Sequence, residues 1–154
     1  MLQGQSAGGT ALATKQLRRM GSAAEGYVQT TLRSPITFTG VGLHSGRRTR
    51  MTVHPASANY GIWFRRSDVT QDDPLVPARW DAVSETRLCT KLANRSGISV
   101  STVEHIMAAL AGCGVHNALI ELDGPEIPIL DGSARPFVEA ILARGLRNLP
   151  AAVT

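Results

Sequence analysis

The chain has 154 residues, enough for one domain with a single hydrophobic core. Hydrophobic residues make up 43% and charged residues 18%, a balance typical of globular proteins, and no apolar run is long enough for a transmembrane segment. The formal net charge of +4 suits an anionic partner, whether a phosphorylated metabolite, a nucleic acid or an anionic membrane surface. Only two cysteines, Cys89 and Cys113, are present, which disfavours a disulfide scaffold and indicates a reducing compartment.

The first 27 residues differ in composition from the rest. Residues 1–27 are rich in Gly, Ala, Ser and Gln, and no apolar segment follows the basic Lys15, Arg18 and Arg19. This composition predicts a disordered leader rather than a secretory signal. A transit peptide and a translation start at Met20 are alternative interpretations.

Short strands are predicted from Val28 onward. β-prone or alternating segments lie at residues 28–39 (with a break at Pro35), 50–54, 61–66, 76–80, 86–92, 116–122 and 126–130. Residues 40–46 contain three glycines and predict a tight turn. This turn is interpreted as a hairpin loop, with the alternative that it lines a binding site and directs His44 into it.

Residues 101–113 predict a helix with an unusual surface. Ser101 is a suitable N-cap, and Glu104, three residues on, would complete a capping box. One face is apolar and should seek a core: Val103, Ile106, Met107 and Leu110. The opposite face carries only Glu104 and His105 among small residues, so we expect the helix to pack on both sides.

The residues alone leave two interpretations of Glu104 and His105. The favoured one is structural, with Glu104 as a cap and His105 as a half-buried, hydrogen-bonded side chain, because isolated Glu-His pairs are common. The alternative is a functional pair in a cleft. It is not the HExxH zinc helix, because the order is reversed and Ala109 replaces the second histidine. Cys89 is interpreted as a small buried hydrophobe rather than a nucleophile.

A second helix is predicted over about residues 134–145, capped by the turn at residues 131–133. Strands and helices are segregated along the chain rather than regularly alternating. The predicted fold is therefore α+β, with a mostly antiparallel sheet and two helices packed on one face. We expect the folded domain to cover residues 28–147, with residues 148–154 as a tail or the start of a linker.

Four segments, in one order, resemble a known family. They are TGVGLHSG at residues 39–46, LCT at 88–90, STVEHIMAALAGCGVHNALIEL at 101–122 and PEIPILDGSARPFV at 125–138. Together they resemble the N-terminal domain of the UDP-3-O-acyl-N-acetylglucosamine deacetylase (LpxC) family, the zinc amidohydrolases of bacterial lipid A biosynthesis. The resemblance runs from about residue 29 to residue 146 and does not cover the leader.

The resemblance implies roles for particular residues. The carboxylate of the TVEH motif is the family's general base and the adjacent histidine a zinc ligand, which implies that Glu104 is catalytic and that His105 binds Zn. This reverses the preference drawn from the residues alone. Substrate contacts are implied at His44, Leu88, Cys89 and Thr90. The implied substrate is a UDP-sugar lipid precursor, and the implied location is the cytoplasm, with peripheral attachment to the inner membrane as an alternative.

The resemblance also predicts that the chain is incomplete. The family enzymes have a second domain, which supplies a histidine and an aspartate to the zinc site. Here the other histidines, His44, His54 and His116, have no carboxylate four residues on, and catalytic zinc usually needs three protein ligands. We therefore expect the chain alone to be inactive or nearly so, as a fragment, a truncated product or a half completed by a second domain or protomer.

Two non-enzymatic functions compete with deacetylation. One is a non-catalytic domain that binds the lipid precursor or the full-length enzyme. The other is a small basic nucleic-acid-binding domain. Only 5% of the residues are aromatic, too few for a convincing stacking platform, so no nucleic-acid partner is expected.

Overall fold

The computed structural model describes residues 27–154, so the predicted leader at residues 1–27 lies outside the described residues except for Tyr27. Within them are ten short strands, two α-helices and one 3-10 turn at Trp80–Ala82. The strands are β1 (Val28–Leu32), β2 (Ile36–Val41), β3 (Arg48–Pro55), β4 (Ile62–Arg66), β5 (Leu75–Pro77), β6 (Val83–Glu85), β7 (Lys91–Ala93), β8 (Ser99–Ser101), β9 (Ala118–Leu122) and β10 (Leu146–Ala152). The helices are α1 (Glu104–Cys113) and α2 (Arg135–Arg144).

The largest sheet of the described region has the strand order β2-β3-β9-β4-β5. Its neighbours are antiparallel except β4 and β9, which are parallel. Alternate side chains point to opposite faces, so the pairing of Val53 with Ile120 builds an apolar face. The pairing of Thr52 with Glu121 builds a polar one. The sheet therefore has one face for a core and one polar face.

Both helices cover the apolar face. Ile106 and Leu110 of α1 and Ile141 of α2 are buried in the same hydrophobic cluster as the sheet residues. Phe137 of α2 meets Phe38 of β2 edge to face, with ring centroids 5.0 Å apart. The predicted α+β class, with mostly antiparallel strands and two helices on one face, is confirmed. Neither helix is long and apolar enough to cross a membrane.

The C-terminal residues differ from the expected tail. Strand β10 extends to Ala152 and pairs antiparallel with β1, and Leu149 is buried. Residues 148–152 are therefore strand, not the start of a linker. The reason is that β1 needs backbone partners that only a distant part of the chain provides.

The start of α1 also differs from the prediction. Ser101 ends β8 instead of capping the helix, and α1 begins at Glu104 with Val103 at the N-cap and no side-chain cap. Thr102 lies between the strand and the helix with a φ of 61°, a conformation that β-branched residues rarely adopt. The predicted capping box is wrong, and the carboxylate of Glu104 is available for another partner.

Truncating Phe137 should strongly destabilise the fold. Phe137 is fully buried against the sheet, so we expect Phe137→Ala to lower the free energy of unfolding by about 3–5 kcal/mol. Urea unfolding followed by circular dichroism measures the change. Leu142→Ala, at an exposed position of the same helix, is the control and should change it by less than about 0.5 kcal/mol. Equal losses in the two variants would contradict the packing of α2.

Candidate active site

Glu104 is the first residue of α1, and its carboxylate is tied to a neighbouring loop. Its Oε2 accepts a hydrogen bond from the backbone N–H of Thr90 at 3.1 Å. Among residues 27–154, no other group donates a hydrogen bond to this carboxylate, so Oε1 has no donor there. The side chain is half-buried, so one oxygen is anchored while the other can face a ligand.

An open groove of about 280 Å³ runs beside this carboxylate. Its walls are mainly apolar, and besides Glu104 it is lined by Ala78, Arg79, Trp80, Val83, Thr90, Leu92, Val103 and Met107. Trp80 is 88% exposed, so the groove is bordered by a large aromatic side chain that faces solvent. A carboxylate at the edge of an apolar groove is a typical arrangement for a ligand site.

His105 follows Glu104 in the first turn of α1 and is half-buried. A neutral imidazole is a good zinc ligand. Within residues 27–154, however, no group of three His, Cys, Asp or Glu side chains is placed to hold a metal ion. The described residues therefore do not form a complete zinc site, and His105 supplies at most one ligand to such a site.

The segment at residues 88–90 is a loop rather than the predicted strand, because β7 begins only at Lys91. Leu88 is 79% exposed, and Cys89 and Thr90 are half-buried. Thr90 is the member that contacts Glu104, through its N–H. The exposure of Leu88 leaves its apolar side chain free to meet another molecule.

His44 lies in the turn between β2 and β3, as the glycine pattern predicted. The N–H of Gly42 donates to the carbonyl of Arg47 at 2.9 Å, and the N–H of Gly46 donates to the carbonyl of Gly42 at 3.0 Å. The backbone N–H of His44 donates to Glu126, while the residue as a whole is exposed. The turn is thus held by its backbone and presents its imidazole outward.

Glu126 is the residue that sequence reasoning missed. It is 2% exposed and accepts hydrogen bonds from the N–H of His44 (3.1 Å), the N–H of Ser45 (2.8 Å) and the hydroxyl of Thr102 (2.6 Å). The predicted strand over residues 126–130 is wrong, since Glu126 makes only an isolated bridge to Ser101. The available signal was a lone carboxylate in the apolar segment PEIPIL.

The family comparison extends over almost the whole described region. The family model described as UDP-3-O-acyl N-acetylglycosamine deacetylase (LpxC) matches residues 29–154. The chain belongs to the LpxC family. Curated relatives named UDP-3-O-acyl-N-acetylglucosamine deacetylase include one from Vibrio cholerae, 53% identical over 125 residues, and one from Aliivibrio fischeri, 50% identical over 121 residues. Another, from Idiomarina loihiensis, is 52% identical over 126 residues.

These alignments cover much of this LpxC-family chain but less of its relatives. They span 80%, 79% and 80% of this chain, and 40%, 39% and 40% of the Vibrio, Aliivibrio and Idiomarina proteins. The chain therefore spans about 40% of the length of the curated relatives it matches.

Stability should depend on the ionisation of Glu126. Burial raises the pKa of this carboxyl, but hydrogen bonds from Thr102, Ser45 and His44 outweigh it and hold the pKa below the ordinary value of 4.5. A lowered pKa stabilises the fold above pH 4.5, and this contribution is lost as the pH falls through the folded-state pKa. We expect Glu126→Gln to cost about 2 kcal/mol at pH 7 and progressively less below pH 4.5.

Urea unfolding of both proteins between pH 7 and pH 3.5 measures this difference. Glu85→Gln, the same chemical change at an exposed position of β6, is the control. A cost for Glu126→Gln that does not shrink toward low pH would show that the charge of Glu126 does not stabilise the fold.

Proposed function

We propose that this chain forms the N-terminal part of a UDP-3-O-acyl-N-acetylglucosamine deacetylase and contributes one carboxylate and one zinc ligand to its active site. The observation that carries the proposal is the position of Glu104. It stands at the start of α1 beside an apolar groove, with Oε2 anchored by Thr90 and with no donor to Oε1 among the described residues. Family membership supports the choice of an acetamide on a UDP-sugar lipid precursor as the substrate.

Glu104 is proposed as the general base. A water molecule that attacks the acetamide carbon must lose a proton, and Oε1 of Glu104 can accept it while Thr90 keeps Oε2 in place. Anchoring one oxygen limits the rotation of the carboxylate and favours a single orientation of the proton acceptor.

His105 is proposed as a ligand of a catalytic zinc ion. Zinc, when bound, lowers the pKa of a coordinated water and polarises a carbonyl. Because residues 27–154 do not contain three clustered ligands, the remaining ones are proposed to come from a second domain or from another protomer. The groups that hold the metal would then be divided between two structural units.

Substrate contacts are proposed at His44 and at Leu88, Cys89 and Thr90. His44 is exposed in a turn that continues into Arg47 and Arg48, so this edge of the domain is cationic and suits a diphosphate. Leu88, which is 79% exposed, suits an apolar part of the lipid precursor. We also propose a cytoplasmic location, where a UDP-sugar is available, with peripheral association at the inner membrane as the alternative.

The purified 154-residue chain should be nearly inactive by itself. We expect less than stoichiometric zinc and no release of acetate from the UDP-sugar lipid, because one histidine cannot hold a catalytic zinc ion. Metal analysis and an acetate-release assay on the same sample test this. Zinc-dependent activity that disappears in Glu104→Gln would contradict the expected incompleteness and point to ligands from a second copy of the chain.

The role of Glu104 is best tested in a complete enzyme. In the Vibrio cholerae relative, the matching segment is replaced by residues 29–154 of this chain, the span that the family model matches, and the chimera is assayed for deacetylation. We expect an active chimera in which Glu104→Gln lowers kcat roughly 10²- to 10⁴-fold without loss of zinc. His105→Ala should lower the zinc content itself, and Glu121→Gln should leave both unchanged.

Two results would count against the proposal. A chimera that keeps its activity with Glu104→Gln would show that another group accepts the proton. An inactive chimera, together with a 154-residue chain that binds the precursor or co-purifies with a full-length relative, would favour the non-catalytic binding domain.

A further inference from the structure

The carboxylate of Glu126 is shared between two segments that are distant in sequence. On one side it accepts the N–H groups of His44 and Ser45 in the β2–β3 turn, at 3.1 and 2.8 Å to Oε1. On the other side its Oε2 accepts the hydroxyl of Thr102 at 2.6 Å. Because the side chain is 98% buried, these donors replace the water that an ionised group requires.

The β2–β3 turn leaves space for this carboxylate because it has a glycine, Gly42, at the point of contact. A Cβ atom added at Gly42 would overlap Oε1 of Glu126 and the hydroxyl of Ser45. Gly42 does not have a positive φ, so the need for glycine here is one of space rather than of backbone conformation. The absence of a side chain at Gly42 lets the backbone of the turn approach the carboxylate closely enough for the N–H groups of His44 and Ser45 to donate to it.

The other partner, Thr102, leads directly into α1. It precedes Glu104 by two residues and His105 by three, and its φ of 61° sets the direction in which the chain enters α1. The segment around Glu126 also holds Ser101 by its backbone. The N–H of Ser101 donates to the carbonyl of Pro125 at 2.8 Å, and the carbonyl of Ser101 accepts the N–H of Ile127 at 3.1 Å.

We propose that Glu126 is a positioning residue for the deacetylation: its buried carboxylate locks the His44 turn to the start of α1, so that His44 and the Glu104–His105 pair keep one mutual arrangement. The proposal rests on the proposed function, because it assigns Glu126 a role in that reaction. Glu126 itself does not contact the groove beside Glu104, so its effect on catalysis would pass through Thr102 and the turn.

The first test examines the hydrogen bonds of Glu126 directly and needs no enzyme assay. Amide proton shifts and hydrogen exchange of His44 and Ser45 are compared by NMR in the 154-residue chain, Glu126→Gln and Gly42→Ala. Both variants should move these amide resonances upfield and speed their exchange, and they should also shift the amides of Glu104 and His105. Glu121→Gln is the matched control and should leave all four unchanged.

The second test measures catalysis in the Vibrio cholerae chimera. We expect Glu126→Gln and Gly42→Ala each to lower kcat by about 10- to 100-fold per zinc-loaded, folded molecule. A purely structural role would lower only the yield of folded enzyme and leave that per-molecule kcat unchanged. Because both substitutions disturb the same contact, the double variant should be little worse than either single variant.

The outcomes separate this inference from the proposed function. Unchanged His44 and Ser45 amides in Glu126→Gln, or a per-molecule kcat within twofold of the parent, would overturn the positioning role. If Glu126→Gln does not fold, the same two measurements on Gly42→Ala decide whether the positioning role holds. This variant keeps the Glu126 carboxylate and disturbs only its contact with the turn. An inactive parent chimera would contradict the proposed function and with it the role of Glu126 in catalysis. The NMR comparison would still show whether Glu126 holds the β2–β3 turn to the start of α1.

Discussion

The arrangement of the candidate site depends on one buried ionised carboxylate. Moving a carboxylate from water into a protein interior costs several kcal/mol unless other groups replace its hydration. Glu126 has donors from the β2–β3 turn and from the approach to α1, and its pKa lies below the ordinary value, so these donors do replace it. Moving either segment away would leave the charge poorly solvated. The same interaction that makes burial tolerable therefore couples the two segments.

The hydrophobic core and the polar contacts fix different parts of the site. Ile106 and Leu110 bury α1 against the sheet and thereby set the position of the helix axis. The free energy gained by burying apolar side chains is roughly proportional to the buried area and has little directional preference. It therefore does not by itself fix how the chain enters the helix. That detail comes from directional hydrogen bonds to Thr102 and Ser101. The core places the helix, and the polar contacts orient its first turn.

Local patterns predicted the parts of the fold that local physics determines. Helix α2 and strand β9 follow from apolar periodicity within a few residues, and the β2–β3 turn follows from its glycines. The start of α1 could not be predicted in this way, because the backbone partners of Ser101 lie at Pro125 and Ile127. Strand β10 was missed for the same reason, since its partner β1 is at the other end of the described region. The candidate site was found at Glu104 and His105 through a family resemblance, whereas Glu126 needed the three-dimensional structure.

Glu104 and Glu126 show how environment gives the same residue type a different burial and a different hydrogen-bonding capacity. Glu126 is almost fully buried and both of its oxygens are occupied by donors, so neither oxygen is open to a ligand. Glu104 is half-buried and borders a groove, and among residues 27–154 only one of its oxygens has a donor, so the other can accept a hydrogen bond from a ligand. Glu126 is linked to Glu104 through Thr102 and the start of α1. The position of the Glu126 carboxylate therefore restricts the position of Glu104. Hydrogen-bond saturation therefore distinguishes the carboxylate that joins two segments from the carboxylate that keeps an acceptor beside the groove.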